Sequence, residues 1–258
     1  LGLRGDSRAQ LAAGKSHLNK GEGEAVRWLR AAANNKNSEA QVLLGQIFYE
    51  GKCNMPRDND EAQKWFTLAA QQKNLDAFRF MADMYSKNLI STSTGGGSKD
   101  PGEQLEYAFQ MANEYLKLKK GKLEKEDAIM YKIMGKIYYE REDYPNAIVF
   151  MTDFINSYSQ SLHEPMSLIE ALETRAISYK KMKDYGAGIL DLETAMSKLE
   201  ENKTDESVKY EYTYVSGYLI MEKAKIYFDQ GNLFKACNTV QQALKMGVKV
   251  EKEYIDIC

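Results

Sequence analysis

The sequence predicts an all-α fold, an alpha-alpha superhelix made by stacking antiparallel helix pairs. Three observations carry this expectation. The block Ala40-Gln-Val-Leu-Leu44-Gly45-Gln-Ile-Phe48 returns as Ala77-Phe-Arg-Phe-Met81-Ala82-Asp-Met-Tyr85, 37 residues later, and self-similarity at such a period marks a repeat array. The chain of 258 residues holds only 4 Pro, and most of its glycines stand at segment edges, so long helices meet few breakers. No strand pattern of alternating apolar and polar residues competes with the helical reading.

From the N-terminus, a degraded copy of the block reads Ala9-Gln-Leu-Ala-Ala13-Gly14-Lys-Ser-His17. Between copies lies a second motif, Ala25-Val-Arg-Trp28-Leu-Arg-Ala31-Ala32-Ala33, repeated as Ala62-Gln-Lys-Trp65-Phe-Thr-Leu68-Ala69-Ala70, again 37 residues on. Small residues let two helices approach closely, and each Trp or aromatic is expected to fill the space beside them. Asp58 with Glu61 forms a capping-box arrangement for the second helix of the pair. Asp100, Pro101 and Glu103 open a further helix over 103–119 with an N-cap, a first-turn proline and an acidic third residue. Ser91-Thr-Ser-Thr-Gly-Gly-Gly97 reads as flexible linker, so the segment 91–99 is expected to be an insertion within this unit. The units resemble Sel1-like repeats, most closely at Ala40, Leu44-Gly45, Phe48, Gly51, Asp58, Ala62, Trp65 and Ala69-Ala70, and the resemblance extends over about residues 8–119.

From residue 128 the pattern changes. Tyr131-x-x-Met134-Gly135-x-x-Tyr138 with Asp143-Tyr144-x-x-Ala147 is followed by Leu172-x-x-Arg175-Ala176-x-x-Tyr179 with Asp184-Tyr185-x-x-Gly188, then by Ile220-x-x-Lys223-Ala224-x-x-Tyr227 with Gly231-Asn232-Leu233-x-x-Ala236. These copies resemble tetratricopeptide repeats over about residues 125–258, at spacings of 41 and 48 against a family period of about 34. The extra residues fall around Ser157–Pro165 and Glu200–Lys209, where they lengthen helices or loops. Arg175 and Lys223 stand where the family has an apolar residue. The expected organisation is a segment 1–119 and a segment 120–258 ending in a capping helix, about 13 helices in all. Each pair buries its apolar stripe on its neighbour, which absorbs 12 Met and 17 Tyr without one globular core.

Composition narrows the function. With 43% hydrophobic and 28% charged residues the chain is an ordered soluble type. The net charge of −2, divided as about +1 before residue 118 and about −3 after it, offers no basic excess for nucleic acid. No apolar run reaches the ~18–20 residues of a membrane span. The chain opens at Leu1 without Met or a signal peptide, the start expected of a processed or truncated product. His17 and His163 are the only histidines, with no metal-ligand spacing, and His17 occupies the repeat's aromatic slot, where it is expected to pack between helices. Gly95-Gly96-Gly97 lacks the Lys-Ser/Thr of a phosphate loop. Asp58, Asp60, Glu61, Glu124, Glu126 and Asp127 read as caps and solvated faces. No catalytic residue, cofactor or metal is expected.

The tetratricopeptide resemblance implies a protein-interaction scaffold whose first helices line a concave groove. Carried over residue by residue, the groove comprises Lys132, Lys136 and Tyr139, then Glu173 and Lys180, then Tyr218, Met221, Lys225 and Phe228. Lysines among aromatics suit an extended peptide carrying acidic and apolar groups. A cell-envelope ligand-binding or sensor module and a structural assembly element are the alternatives. Family spacing also puts Cys258 in the small slot beyond the last copy, within reach of Cys237. A bond there would imply an oxidising compartment, periplasmic or secreted and bacterial. Two reduced, buried thiols are the other reading, and then a cytoplasmic one. Cys53 is expected to be a free thiol in a loop.

Overall fold

The structure is a computed structural model that describes residues 6–87, 89, 100–120, 127–157, 165–209 and 211–258. The insertion expected at 91–99, as well as His163, Glu124 and Glu126, lies outside the described residues. Among those described, the chain forms fourteen helices and no strand, distributed over two compact units, Leu1–Leu123 and Glu124–Cys258.

The first unit contains α1 (Ser7–Asn19), α2 (Glu24–Asn34), α3 (Ser38–Glu50), α4 (Asn59–Ala70), α5 (Leu75–Ser86) and α6 (Pro101–Leu118), each packed on the next. Asp6, Asn37 and Asn74 begin α1, α3 and α5 by accepting hydrogen bonds from orphan N–H groups of the first turn. Asp58 does the same for α4, accepting from the Glu61 N–H at 3.0 Å. The expected capping box is only half made. The Glu61 carboxylate turns outward to the Trp65 indole N–H at 3.1 Å, while the Asp58 N–H donates to the Phe48 carbonyl.

Close approach of paired helices is secured by glycine, with a correction to the partner. A Cβ on Gly14 would lie 2.6 Å from Leu29 Cδ2, and one on Gly45 would lie 2.7 Å from Phe66 Cε1. The residues seated in these notches are thus Leu29 and Phe66, the immediate successors of Trp28 and Trp65. The two helices of each pair are then tied by side-chain amides at equivalent positions. Asn35 donates to Gln10 at 3.0 Å, and Gln72 donates to Gln41 at 2.8 Å. His17 departs from its expected packing role. Its slot equivalents Phe48 and Tyr85 are buried, but α1 has no preceding described helix against it, and the half-buried imidazole pairs instead with Glu22. Cys53 is free, as expected of a third cysteine, yet buried, and burial pushes its thiol pKa up and lowers its reactivity.

The second unit contains α7 (Ala128–Glu140), α8 (Tyr144–Ser157), α9 (Pro165–Lys181), α10 (Tyr185–Glu201), the short α11 (Glu206–Lys209), α12 (Tyr212–Asp229), α13 (Leu233–Lys245) and α14 (Lys252–Ile257). Each pair turns the same way. Glu142, Lys183 and Gly231 take left-handed φ values of 59°, 62° and 73°, and the next residues, Asp143, Asp184 and Asn232, cap the following helix. The first helices also touch one another, α7 against α9 and α9 against α12, which places them side by side on one face. Extra residues of the second and third copies lengthen α9 and α12 at their N-terminal ends and supply α11.

Arg175, out of place in the repeat pattern, is an interhelical tie. It holds the buried Asp191 of α10 through two hydrogen bonds of 2.8 and 2.7 Å and donates to Thr152 of α8 at 2.9 Å. Lys223 has an analogous bond to Glu193 at 2.6 Å.

Two outcomes follow. Gly45→Ala forces a methyl against the Phe66 ring and should cost about 1–3 kcal/mol in urea unfolding. Arg175→Met leaves Asp191 buried without its cation and should cost about 3–5 kcal/mol, most of it recovered when Asp191→Leu is added.

Candidate functional site

The predicted groove residues all lie in the second unit, on α7, α9 and α12. The side-by-side packing of these helices brings several together. Tyr218 of α12 donates its phenolic O–H to the Glu173 carboxylate of α9, and Tyr139 of α7 lies within electrostatic reach of both. Glu222, one turn along α12 from Tyr218, completes the cluster. Its buried carboxylate accepts from Lys225 at 2.8 Å and lies 3.8 Å from Lys180, which is also 3.7 Å from Asp229.

Electrostatics differ sharply between the two glutamates. Glu222 is matched by two ammonium groups. Glu173 is half-buried, forms no ion pair among the described residues, and faces Glu222 and Glu170. Burial, opposed only in part by the Tyr218 hydrogen bond, raises its pKa to about 7. The same crowding pushes Tyr139 and Tyr218 up, again chiefly through burial.

Other predicted residues are placed differently. Lys132 is committed to α9, bonded to Ser167 at 3.0 Å and Glu170 at 2.5 Å. Lys136 is exposed on α7. Phe228 packs on Tyr254 of α14, ring centroids 5.1 Å apart, and so supports the C-terminal segment. Met221 is buried, at the floor of a cavity of about 540 Å³. That cavity is lined by Tyr214, Tyr218, Met221 and Lys225 on α12 and by Val248 and Glu251 of the segment after α13.

The far wall of the cavity had no signal in the repeat pattern, because it comes from chain beyond the last copy. Its anchor was visible only as an unexplained glycine in α12. A Cβ on Gly217 would stand 2.4 Å from Val248 Cγ2, so the missing side chain lets the segment lie directly on the helix. The segment is tied at its end by a disulfide between Cys237 of α13 and Cys258, whose Cα atoms are 5.1 Å apart.

Antiparallel helix pairs, each packed on the next within its unit, are the architecture of helix-pair repeat proteins. Residues 8–37 and 38–74 match the family model described as "Sel1 repeat". Among solved structures, a Sel1 repeat protein from Oxalobacter formigenes superposes with a TM-score of 0.50 at 18% identity, covering 96% of this chain and 87% of that one. A chain of the APC/C hetero-tetramer Cut9-Hcn1 gives a TM-score of 0.55 at 14% identity, covering 98% of this chain but only 42% of that one. At these identities the likeness is one of fold. No curated protein matches the sequence. Repeats of this class commonly act as protein-interaction scaffolds and are generally non-enzymatic. No described helix is long and apolar enough to cross a membrane, and no group of three or more His, Cys, Asp or Glu among the described residues is arranged to hold a metal ion.

A carboxyl group whose folded-state pKa exceeds its unfolded value stabilises the fold at low pH and loses that contribution as pH rises. For Glu173 the window runs from its ordinary 4.5 to about 7. Glu173→Gln should therefore be more stable than the parent chain by on the order of 1–2 kcal/mol at about pH 8 and nearly equal to it at about pH 4. Urea midpoints at the two pH values measure this.

Proposed function

We propose that the chain is a protein-interaction scaffold and that the α7, α9 and α12 face of its second unit receives an extended segment of a partner protein. The observation that supports this most directly is the cavity beside Tyr218. It is open, floored by Met221, walled by Val248 and two tyrosine rings, and edged by Lys225, Glu251 and the Thr213 hydroxyl. A concave, mostly apolar site with a few polar groups at the edge is suited to one or two apolar side chains of a peptide whose backbone crosses the neighbouring polar surface. Tyr214 adds a ring that is 78% exposed, available contact area at little entropic cost. The disulfide beneath the cavity wall favours an oxidising compartment as the place of action.

The cavity's size also suits a small ligand, which supports the sensor-type reading second. Selection from a display library of short random peptides separates the two. Peptides captured by the intact chain should lose about tenfold or more in affinity on Tyr218→Ala and on Thr213→Trp, the second of which fills the cavity. Binders indifferent to both substitutions would place recognition elsewhere.

A further inference from the structure

Lysines on a groove suggest an acidic ligand when read from the sequence. Three of the four groove lysines are already paired within the fold. Lys132 is neutralised by Glu170, Lys180 by Glu222 and Asp229, and Lys225 by Glu222. Among the described residues, the carboxylate of this cluster without an ion-pair partner is Glu173. It is flanked by the tyrosines at positions 139 and 218, and Tyr218 is shared with the cavity wall.

We infer that this face selects a basic segment, in which a Lys or Arg side chain meets Glu173 between Tyr139 and Tyr218 while a neighbouring apolar side chain enters the cavity over Met221. The inference rests on the scaffold reading above and adds the chemistry of its partner. Three features of the site converge on it. A carboxylate held by a tyrosine hydroxyl still has free lone pairs for a guanidinium or ammonium. Tyr139 and Tyr218 stand beside the carboxylate, and aromatic rings attract a cation that comes over them. An incoming cation also removes the cost of an unmatched charge beside Glu222 and Glu170, whereas an acidic group would add to it. Glu251 and Lys249, which both line the cavity, offset one another, so the sign of the site is set at Glu173.

Binding of this kind is coupled to Glu173 ionisation. The groups facing Glu173 are Tyr139 from α7, Glu170 from its own helix, and Tyr218 and Glu222 from α12; α7 also carries Lys136 and Glu140, both exposed. The cation binds the ionised form, so affinity rises with pH through about 7, where Glu173 loses its proton.

The test uses the intact, disulfide-bonded chain and the same library of short random peptides, followed by fluorescence anisotropy on synthetic copies of the enriched sequences. The expected result is enrichment of Lys or Arg next to an apolar residue. Affinity should strengthen about tenfold from about pH 5.5 to about pH 8, with both the gain and about tenfold of the affinity at pH 8 lost in Glu173→Gln. That variant keeps the shape of the side chain and removes an unmatched charge, so it should fold; circular dichroism confirms this. Enrichment of acidic peptides that remain sensitive to Thr213→Trp would overturn the basic specificity and leave the scaffold reading standing. Basic peptides bound equally well by Glu173→Gln, or with no pH dependence, would overturn the role of Glu173. Failure to enrich any peptide sensitive to Thr213→Trp would defeat both.

Discussion

Everything in this chain depends on paired helices coming close enough for backbone to meet side chain directly. The constraint recurs in each half. Gly45 admits the Phe66 ring, Gly135 admits Met151, and Gly188 lets α10 approach to where an added Cβ would lie 2.9 Å from the Ala176 carbonyl oxygen. Close approach replaces a bulky interface by a notch and a filler, and dispersion contacts are gained only if the filler matches the notch. Once a pair is closed, its remaining apolar stripe has one place to go, the next pair. The long array of Ala, Leu, Met and Tyr then needs no central core.

Polar chemistry takes over where the apolar repeat gives out. In the first unit, Gln41 of α3 donates to the Ala33 carbonyl of the preceding pair at 3.1 Å, and Tyr49 donates to the buried Asp83 of the following pair at 2.6 Å. In the second, Arg175 spans α8, α9 and α10. These interactions contribute less by their net energy than by the penalty for misplacing them. A buried carboxylate such as Asp191 tolerates only the register that brings it to its guanidinium. Directional bonds at the pair-to-pair interfaces therefore set the stacking register that apolar contact alone would leave loose.

The helices, their pairing and the caps at Asp58 and Asp100 were legible because they rest on local rules: apolar spacing, Asp before a first turn, and small residues at the crossing. The site was legible only in part. Carried over from the repeat pattern, Tyr139, Glu173 and Tyr218 fall on α7, α9 and α12, which pack side by side and bring the three together. The pattern said nothing of Glu222, because a carboxylate on a helix reads as solvated until its burial is known. Nor could it reveal that Lys132, Lys180 and Lys225 are already paired, since their partners come from neighbouring helices or an adjacent turn and no single-position rule counts charges across an interface. Trp28 and Trp65 misled for a related reason: the larger residue attracts the packing role, while the geometry seats Leu29 and Phe66.

The site forms where the repetition stops. In the second unit the first helices α7 and α9 touch the first helix of the pair that follows, so part of their surface is consumed by stacking. Against α12 lies a short segment instead, held down by Val248 in the Gly217 notch, by Tyr254 on Phe228, and by the Cys237–Cys258 bond. A segment thinner than a helix pair leaves part of α12 uncovered, and that uncovered part is the cavity beside Tyr218. The segment's attachments hold the wall that faces α12 across the cavity. On the proposed reading, binding at this face therefore depends on the covalent state of Cys237 and Cys258 as well as on the residues that line it.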